Sequence, residues 1–336
     1  MNDDPKMRVR KAARLSVAPM MDWTDSHCRV FHRLMSRETL LYTEMVTAPA
    51  LVRGGATHLL DFEPAEHPVA LQLGGSDPAE LAEATRMAVD HGYDEVNLNV
   101  GCPSDRVQSG TFGAVLMRDP DLVARCCAAM IDAAGDVEVT VKCRIGVDDQ
   151  VPAEALPALL QAVRAKGIRT AIIHARKAWL KGLSPKDNRT IPPLDYALVQ
   201  QVKADFPDME IILNGGLETL SAGLAAQGPL DGIMLGRAAY HTPWELAQVD
   251  SRVYGQPDPV STPHEAVVSY LPYIVEQLHR GTRLHSITRH MLGLFHGRAG
   301  ARQWRRILSE RAVRDDAGID VVEDALAAVE PEMASA

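Results

Sequence analysis

The run Asn97-Leu98-Asn99-Val100-Gly101-Cys102-Pro103-Ser104 brings two amides and a thiol into one short stretch. Val96, Leu98 and Val100 alternate with Asn97 and Asn99 at period two, which predicts a strand carrying both amides on one face. Buried amides cost stability unless they are hydrogen-bonded. Cys102 follows directly, held between Gly101 and Pro103. An amide and a thiol at a strand tip fit a site that holds a planar polar ligand and moves a proton. A thiol is largely protonated at neutral pH and still a competent donor.

Four more apolar runs end in polar residues. Gln72 sits late in Val-Ala-Leu-Gln-Leu, Lys142 and Arg144 share a face of Val-Thr-Val-Lys-Cys-Arg, His174 closes Ala-Ile-Ile-His, and Asn214 closes Ile-Ile-Leu-Asn. Each alone has a structural explanation: a satisfied amide, a core histidine, an edge lysine. Recurrence at matched positions on five strands points to a shared site. Asn214 leads into Gly215-Gly216, and a later apolar run leads into Gly236-Arg237. Glycine lets backbone N–H groups approach an anion, and Arg237 adds a fork of donors, so the two loops together read as a phosphate signal.

The elements that must position these residues alternate. Expected strands are Leu15–Pro19, Leu40–Glu44, Val69–Leu73, Glu95–Val100, Val139–Ile145, Ala171–Ala175, Glu210–Asn214 and Gly232–Leu235. Amphipathic stretches such as Asp77–His91, Pro120–Ala134, Ala153–Lys166, Asp195–Phe206 and Thr219–Ala226 lie between them. About eight strand–helix units in series predict a (β/α)8 TIM barrel of the α/β class, whose strand tips converge at the C-terminal face and whose last two loops commonly bind phosphate. A doubly wound sheet is the alternative, but no Gly-x-Gly-x-x-Gly turn follows the first strand. The expected partition is a polar N-terminal tail over 1–14, a catalytic barrel over 15–254, and a small all-helical domain over 255–336. Gly255-Gln256-Pro257-Asp258-Pro259 reads as the linker. Helical periodicity covers Pro263–Arg280, Leu284–Phe295, Gly300–Arg311 and Val321–Val329.

The net charge of −9 argues mildly against nucleic acid, yet its distribution argues for it. Between Arg280 and Arg314 stand nine arginines and one acid, Glu310. A solvated helical face is the ordinary explanation of a charge run, but nine arginines without a lysine favour phosphate contact. Five cysteines without Cys-x-x-Cys spacing exclude a disulfide framework or a structural zinc, and Cys28, Cys126, Cys127 and Cys143 read as buried hydrophobes. No apolar run reaches the ~18 residues a bilayer requires. The polar start of the chain lacks the apolar core of a secretory signal, so a cytoplasmic location is the default expectation.

Ala18-Pro19-Met20-Met21-Asp22, Gln72-Leu73-Gly74-Gly75, the Asn97–Ser104 run, Lys142-Cys143-Arg144-Ile145-Gly146, His174-Ala175-Arg176 and Asn214-Gly215-Gly216 together resemble the tRNA-dihydrouridine synthases. The stretch from His174 to Arg189 resembles their A-type bacterial subfamily, which acts on the D-loop uridine at position 20 and its neighbour 20a. The resemblance covers roughly Arg14 to Ala312. It implies an FMN-bearing barrel, NADPH as the hydride source, and a helical domain that binds tRNA. It places Pro19, Met20, Met21, Gln72, Lys142, His174, Asn214, Gly215, Gly216, Gly236 and Arg237 around FMN. It makes Cys102 the general acid and Asn99 a holder of the uracil, and it makes Lys186 and Arg189, with Arg302 and Arg305, the residues that orient tRNA. No metal and no obligatory protein partner are implied. The rival readings are a flavin barrel acting on a free pyrimidine, in the manner of dihydroorotate dehydrogenase, and a non-catalytic tRNA-binding protein. The basic helical segment disfavours the first; the intact thiol and Lys142 disfavour the second.

Overall fold

A computed structural model of the chain describes residues 4–104 and 112–329. The strands β1 (Leu15–Val17), β2 (Leu40–Thr47), β3 (Val69–Gly74), β4 (Glu95–Val100), β5 (Glu138–Arg144), β6 (Thr170–His174), β7 (Glu210–Asn214) and β8 (Gly232–Leu235) pair in parallel and close into a barrel. The expected (β/α)8 TIM barrel is the observed fold. β1 is shorter than expected because Ala18 donates the last ladder hydrogen bond, to Leu235 O, and Pro19 has no N–H to continue it. β2 is longer and shifts register between Tyr42 and Met45. No helix of the described residues is long and apolar enough to cross a membrane.

Compactness divides the chain into two units: 1–22 with 40–236, and 23–39 with 237–336. The first holds all eight strands. Helices such as Pro78–His91, Pro120–Ala134 and Pro152–Arg164 bury apolar faces, among them Leu81, Ala84 and Ala88 on the first. The second unit is helical: Ser26–Met35, Arg237–His241, Pro263–His279, Leu284–Thr288, Ala301–Arg311 and Asp320–Ala327. Its division from the barrel differs from the expected break at 254/255. Residues 23–39 and 237–254 belong to the helical unit, where Phe31 lies 5.1 Å from the Tyr270 ring and the Asp250 carboxylate accepts from Ser36 Oγ and from the Arg37 N–H. The expected helix 284–295 breaks after Thr288. Gly293 passes so close to the His241 carbonyl that a Cβ there would stand 2.0 Å from its oxygen.

The N-terminal segment also differs from the expected polar tail. Pro5–Ala12 is a helix, capped by the Asp4 side chain, whose Val9 and Ala12 are buried. With Ala13 they join a core cluster with Leu40, Tyr42, Ala70, Ile172, Ile212 and Met234, residues of five barrel strands. Arg10 pairs with Glu138 at the first residue of β5, so the helix closes the N-terminal end of the barrel. Its polar residues hid this function because only one face carries apolar groups. We expect Val9→Asp to lower stability by about 3 kcal/mol, since it buries an unpaired carboxylate in this plug. Urea unfolding measures this, and an unchanged midpoint would remove the helix from the barrel core.

Candidate functional site

Strand register sets the polar groups side by side. Gln72 pairs in register with Asn97, Asn97 with Thr140, and Asn99 with Lys142. Residues of like parity on neighbouring strands share a face, so the side chains meet inside the barrel. Gln72 Nε2 donates to Asn97 Oδ1 at 2.8 Å, and Asn97 Nδ2 donates to Thr140 Oγ1 at 2.7 Å. Asn99 Nδ2 donates to Gln72 Oε1 at 2.8 Å. Asn99 Oδ1 then accepts the backbone N–H groups of Gly101 (3.0 Å) and Cys102 (2.9 Å). The Asn99 oxygen therefore shapes the turn that carries the thiol. Gln72 and Asn99 each keep a second amide N–H beyond these bonds, a donor suited to a carbonyl oxygen. Cys102 is half-buried, whereas Cys28, Cys126, Cys127 and Cys143 are buried, as expected, and none of the five is in a disulfide. Burial pushes the Cys143 thiol up to about 12 and Cys126 to about 11, so neither offers a thiolate at neutral pH.

The adjoining strand tips form a cationic group. Lys142 Nζ donates to Asn214 Oδ1 at 3.0 Å, and Asn214 Nδ2 donates to Met234 O at 2.8 Å. Burial, then the neighbouring Arg144, pulls Lys142 down to about 8. His174 is buried, and its Nε2 has no hydrogen-bond partner among the described residues. Burial first, then Arg144, Lys142, Arg176 and Arg189, holds the imidazole well below its usual value, so it is neutral. Gly215 and Gly216 have φ of +104° and +71°. A Cβ on Gly215 would stand 2.4 Å from the His174 ring, so only glycine allows this close approach. An orphaned imidazole nitrogen, a destabilised ammonium and a side-chain-free backbone turn form a cradle for an anionic, hydrogen-bonding ligand.

Of the other expected residues, Met20 packs partly buried on the barrel core and Met21 is 56% exposed. Both lie in the loop after β1, with Pro19. Gly236 follows β8 directly. Arg237 opens the short helix of the second unit. Lys186 precedes the turn Asp187–Arg189 and Arg189 ends it, within electrostatic range of both Arg144 and His174.

Several residues of the site were not singled out for a role from sequence. Arg144 donates to Gly101 O (3.2 Å), Lys177 O (3.2 Å) and Asn188 O (2.8 Å), which fastens the Cys102 turn to the 177–189 loop. Buried Asn188 in turn closes that loop through Trp179 N and O. Below the amides, the Thr140 hydroxyl donates to Glu95 Oε1 at 2.6 Å, and the Tyr42 hydroxyl donates to the same oxygen. Burial lifts the Glu95 carboxyl to about 7, opposed by these two hydroxyls. The signal for Thr140 and Glu95 was the same period-two alternation, continued two residues back from Lys142 and Asn97.

A family model described as dihydrouridine synthase (Dus) matches residues 16–330. The chain belongs to the dihydrouridine synthase family. Among similar proteins, the tRNA-dihydrouridine(20/20a) synthase of Vibrio cholerae is 54% identical over 319 residues, covering 95% of this chain and 97% of that one. The protein of the same name from Escherichia coli strain K12 is 55% identical over 322 residues, covering 96% and 93%. The old yellow enzyme homologue of Zymomonas mobilis is 13% identical with a TM-score of 0.51, covering 68% of this chain and 86% of that one, a likeness of barrel fold.

In this dihydrouridine synthase the arginine stripe is only partly available. Arg280 pairs with Glu276, Arg283 with Asp315, Arg289 with Asp25, and Arg311 with Asp320 and Asp324. Arg298 lies over the Trp244 ring. On helix Ala301–Arg311, Trp304 and Leu308 face inward, while Arg302, Arg305 and Arg306 are exposed.

The depressed Lys142 has a measurable consequence. Below pH 8 the ammonium is charged in both folded and unfolded protein, and its burial cost is fully present. Between pH 8 and about 10.4 only the unfolded chain keeps the proton, so stability rises with pH. We expect Lys142→Met to remove this rise, worth on the order of 2–3 kcal/mol. Urea unfolding of both proteins at pH 7.5 and 10.5 reads it, and parallel pH dependences would refute the shift.

Proposed function

We propose that this dihydrouridine synthase reduces the D-loop uridine at position 20 or 20a of tRNA, with FMN as its bound flavin, NADPH as the source of reducing equivalents and Cys102 as the proton donor. The observation that carries this reading is the half-buried Cys102 thiol, alone among five cysteines in that state, fixed by Asn99 at the mouth of a cation-lined barrel. The names of the relatives support the choice of uridine.

When bound, FMN supplies a hydride equivalent for C6 of the uracil. The residues of the cradle fit such a group: His174 Nε2 awaits a partner, Lys142 would gain a counter-charge from an anionic ring or phosphate, and Gly215 and Gly216 leave room for close approach. Pro19, Met20, Met21, Gln72, Asn214, Gly236 and Arg237 complete the proposed set. Asn99, through its remaining N–H, would hold a uracil carbonyl. Cys102 delivers its S–H proton to C5, and the electron pair of that bond stays on sulfur as thiolate. Lys142 and Arg144, both within electrostatic range of Cys102, stabilise that thiolate until solvent reprotonates it. The base must leave its stack in the folded tRNA to reach such a pocket.

Recognition of the tRNA body falls to Lys186 and Arg189 in the barrel unit and to Arg302 and Arg305 on the exposed face of the helical unit, as phosphate contacts. That exposed face also favours tRNA over a free pyrimidine as substrate.

Cys102→Ala should keep its flavin and lose at least about 100-fold in dihydrouridine formation on unmodified tRNA, the usual scale of a lost general acid. Near wild-type product by mass spectrometry would sink the proton-donor role. Arg302→Ala with Arg305→Ala should weaken tRNA binding about tenfold or more at moderate salt and flatten its salt dependence. Arg280→Ala with Arg283→Ala, whose side chains pair with Glu276 and Asp315, should weaken it less; equal losses would show that ion pairing of the arginines does not decide the contact.

A further inference from the structure

We infer that Glu95, at the first residue of β4 and remote from the reacting atoms, is a positioning residue for the Cys102 turn, acting as the acceptor terminus of a one-way hydrogen-bond chain through the barrel. The inference rests on the proposed role of Cys102 and Asn99.

The direction of the chain follows from counting protons. At its upper end two backbone N–H groups point at Asn99, so the oxygen of that amide must face them and its nitrogen must face Gln72. Gln72 must then present its oxygen to Asn99 and its nitrogen to Asn97. Asn97 must present its nitrogen to Thr140. The Thr140 hydroxyl has a single proton, and it already accepts from Asn97, so it must donate onward. Glu95 receives that proton and the Tyr42 hydroxyl on one carboxylate oxygen. Both hydroxyls donate to Oε1, so a proton taken up by this raised carboxyl belongs on Oε2, and Oε1 remains the acceptor at which every upstream group donates. Gln72, Asn97, Thr140, Tyr42 and Glu95 are all buried, so water cannot replace a lost partner at low cost.

Remove the acceptor and the chain loses its direction. The Thr140 hydroxyl can then turn toward Asn97, which allows Asn97 and Gln72 to flip. A flipped Gln72 aims its N–H groups at the Asn99 nitrogen, and Asn99 can relieve that clash only by turning its own nitrogen toward the two backbone donors. The conflict thus arrives at Asn99, roughly 13 Å along the strand from Glu95, and so at the turn whose backbone that amide holds. The backbone donors of Gly101 and Cys102 fix one end of the chain and the Glu95 oxygen fixes the other, whereas the amides and Thr140 between them can be reversed.

The test compares Glu95→Gln, which keeps an acceptor oxygen in the same shape, with Glu95→Ala, which removes it, both as flavin-loaded full-length enzyme. Two quantities are read: turnover and KM with unmodified tRNA, and hydrogen-exchange protection of the Gly101 and Cys102 amides. We expect Glu95→Ala to lose about 10–100-fold in kcat with KM for tRNA within about twofold, the scale of a misplaced reacting group. The two amides should lose protection in Glu95→Ala and keep it in Glu95→Gln, whose kcat should be restored to within about threefold. Should Glu95→Ala fail to fold, Thr140→Val cuts the same chain one link higher with an isosteric side chain, and the same losses are expected. Wild-type protection and kcat in the folded variant would overturn the inference. Wild-type enzyme that forms no dihydrouridine would instead overturn the proposed function, while the amide protection would still report on the chain.

Discussion

The barrel interior has to satisfy the amides of β3 and β4 without water. Gln72, Asn97 and Asn99 cannot point to solvent, and an unpaired buried amide costs on the order of 1–3 kcal/mol. Parallel pairing puts Gln72 beside Asn97 and Asn97 beside Thr140, so each amide finds its partner on the next strand. The column of bonds ends on the backbone of Gly101 and Cys102. Satisfying the core and shaping the thiol-bearing turn are therefore one and the same arrangement. The other half of the interior needs no such device, because Ile172, Ile212, Met234 and Ala70 fill it with apolar volume over the N-terminal helix.

Against this stable column stands an unstable group of charges. Lys142, Arg144, Arg176 and Arg189 crowd the C-terminal tips; burial and these neighbours pull Lys142 and Arg144 down and keep His174 neutral. Charges packed in this way weaken the fold unless an anion is present, and perturbed groups of this kind gather where ligands bind. Arg144 also serves the structure: its guanidinium satisfies three carbonyls and so joins the thiol turn to the basic 177–189 loop. A proposed tRNA-facing loop and a proposed proton donor are thus tied by one side chain.

The helical unit shows how a local charge count misleads. Nine arginines against one acid in sequence suggested a continuous phosphate-binding stripe. Folding brings Asp25, Glu276, Asp315, Asp320 and Asp324 onto four of them, all from outside the segment. The exposed arginines outside these ion pairs are Arg302, Arg305 and Arg306, on one face of helix Ala301–Arg311 opposite buried Trp304 and Leu308, and Arg314 just past its end.

By itself the sequence determined the barrel, because period-two runs and amphipathic helices alternate and each strand must be buried on both faces. It also determined the polar strand tips, since alternation alone shows that Asn97 and Asn99, or Lys142 and Arg144, share a face. Family motifs then singled out Cys102. Only the tertiary structure decided which groups meet. The placing of the His174 Nε2 against Gly215 depends on two strands closing side by side, and the path from Asn99 to Glu95 depends on the register of three. Helix 5–12 looked like a tail because its two buried residues, Val9 and Ala12, gain meaning only once a barrel end exists to receive them. Residues 23–39 lie between two barrel strands in sequence, yet they pack with the C-terminal helices, since a helix face is indifferent to chain order and follows the apolar surface that covers it.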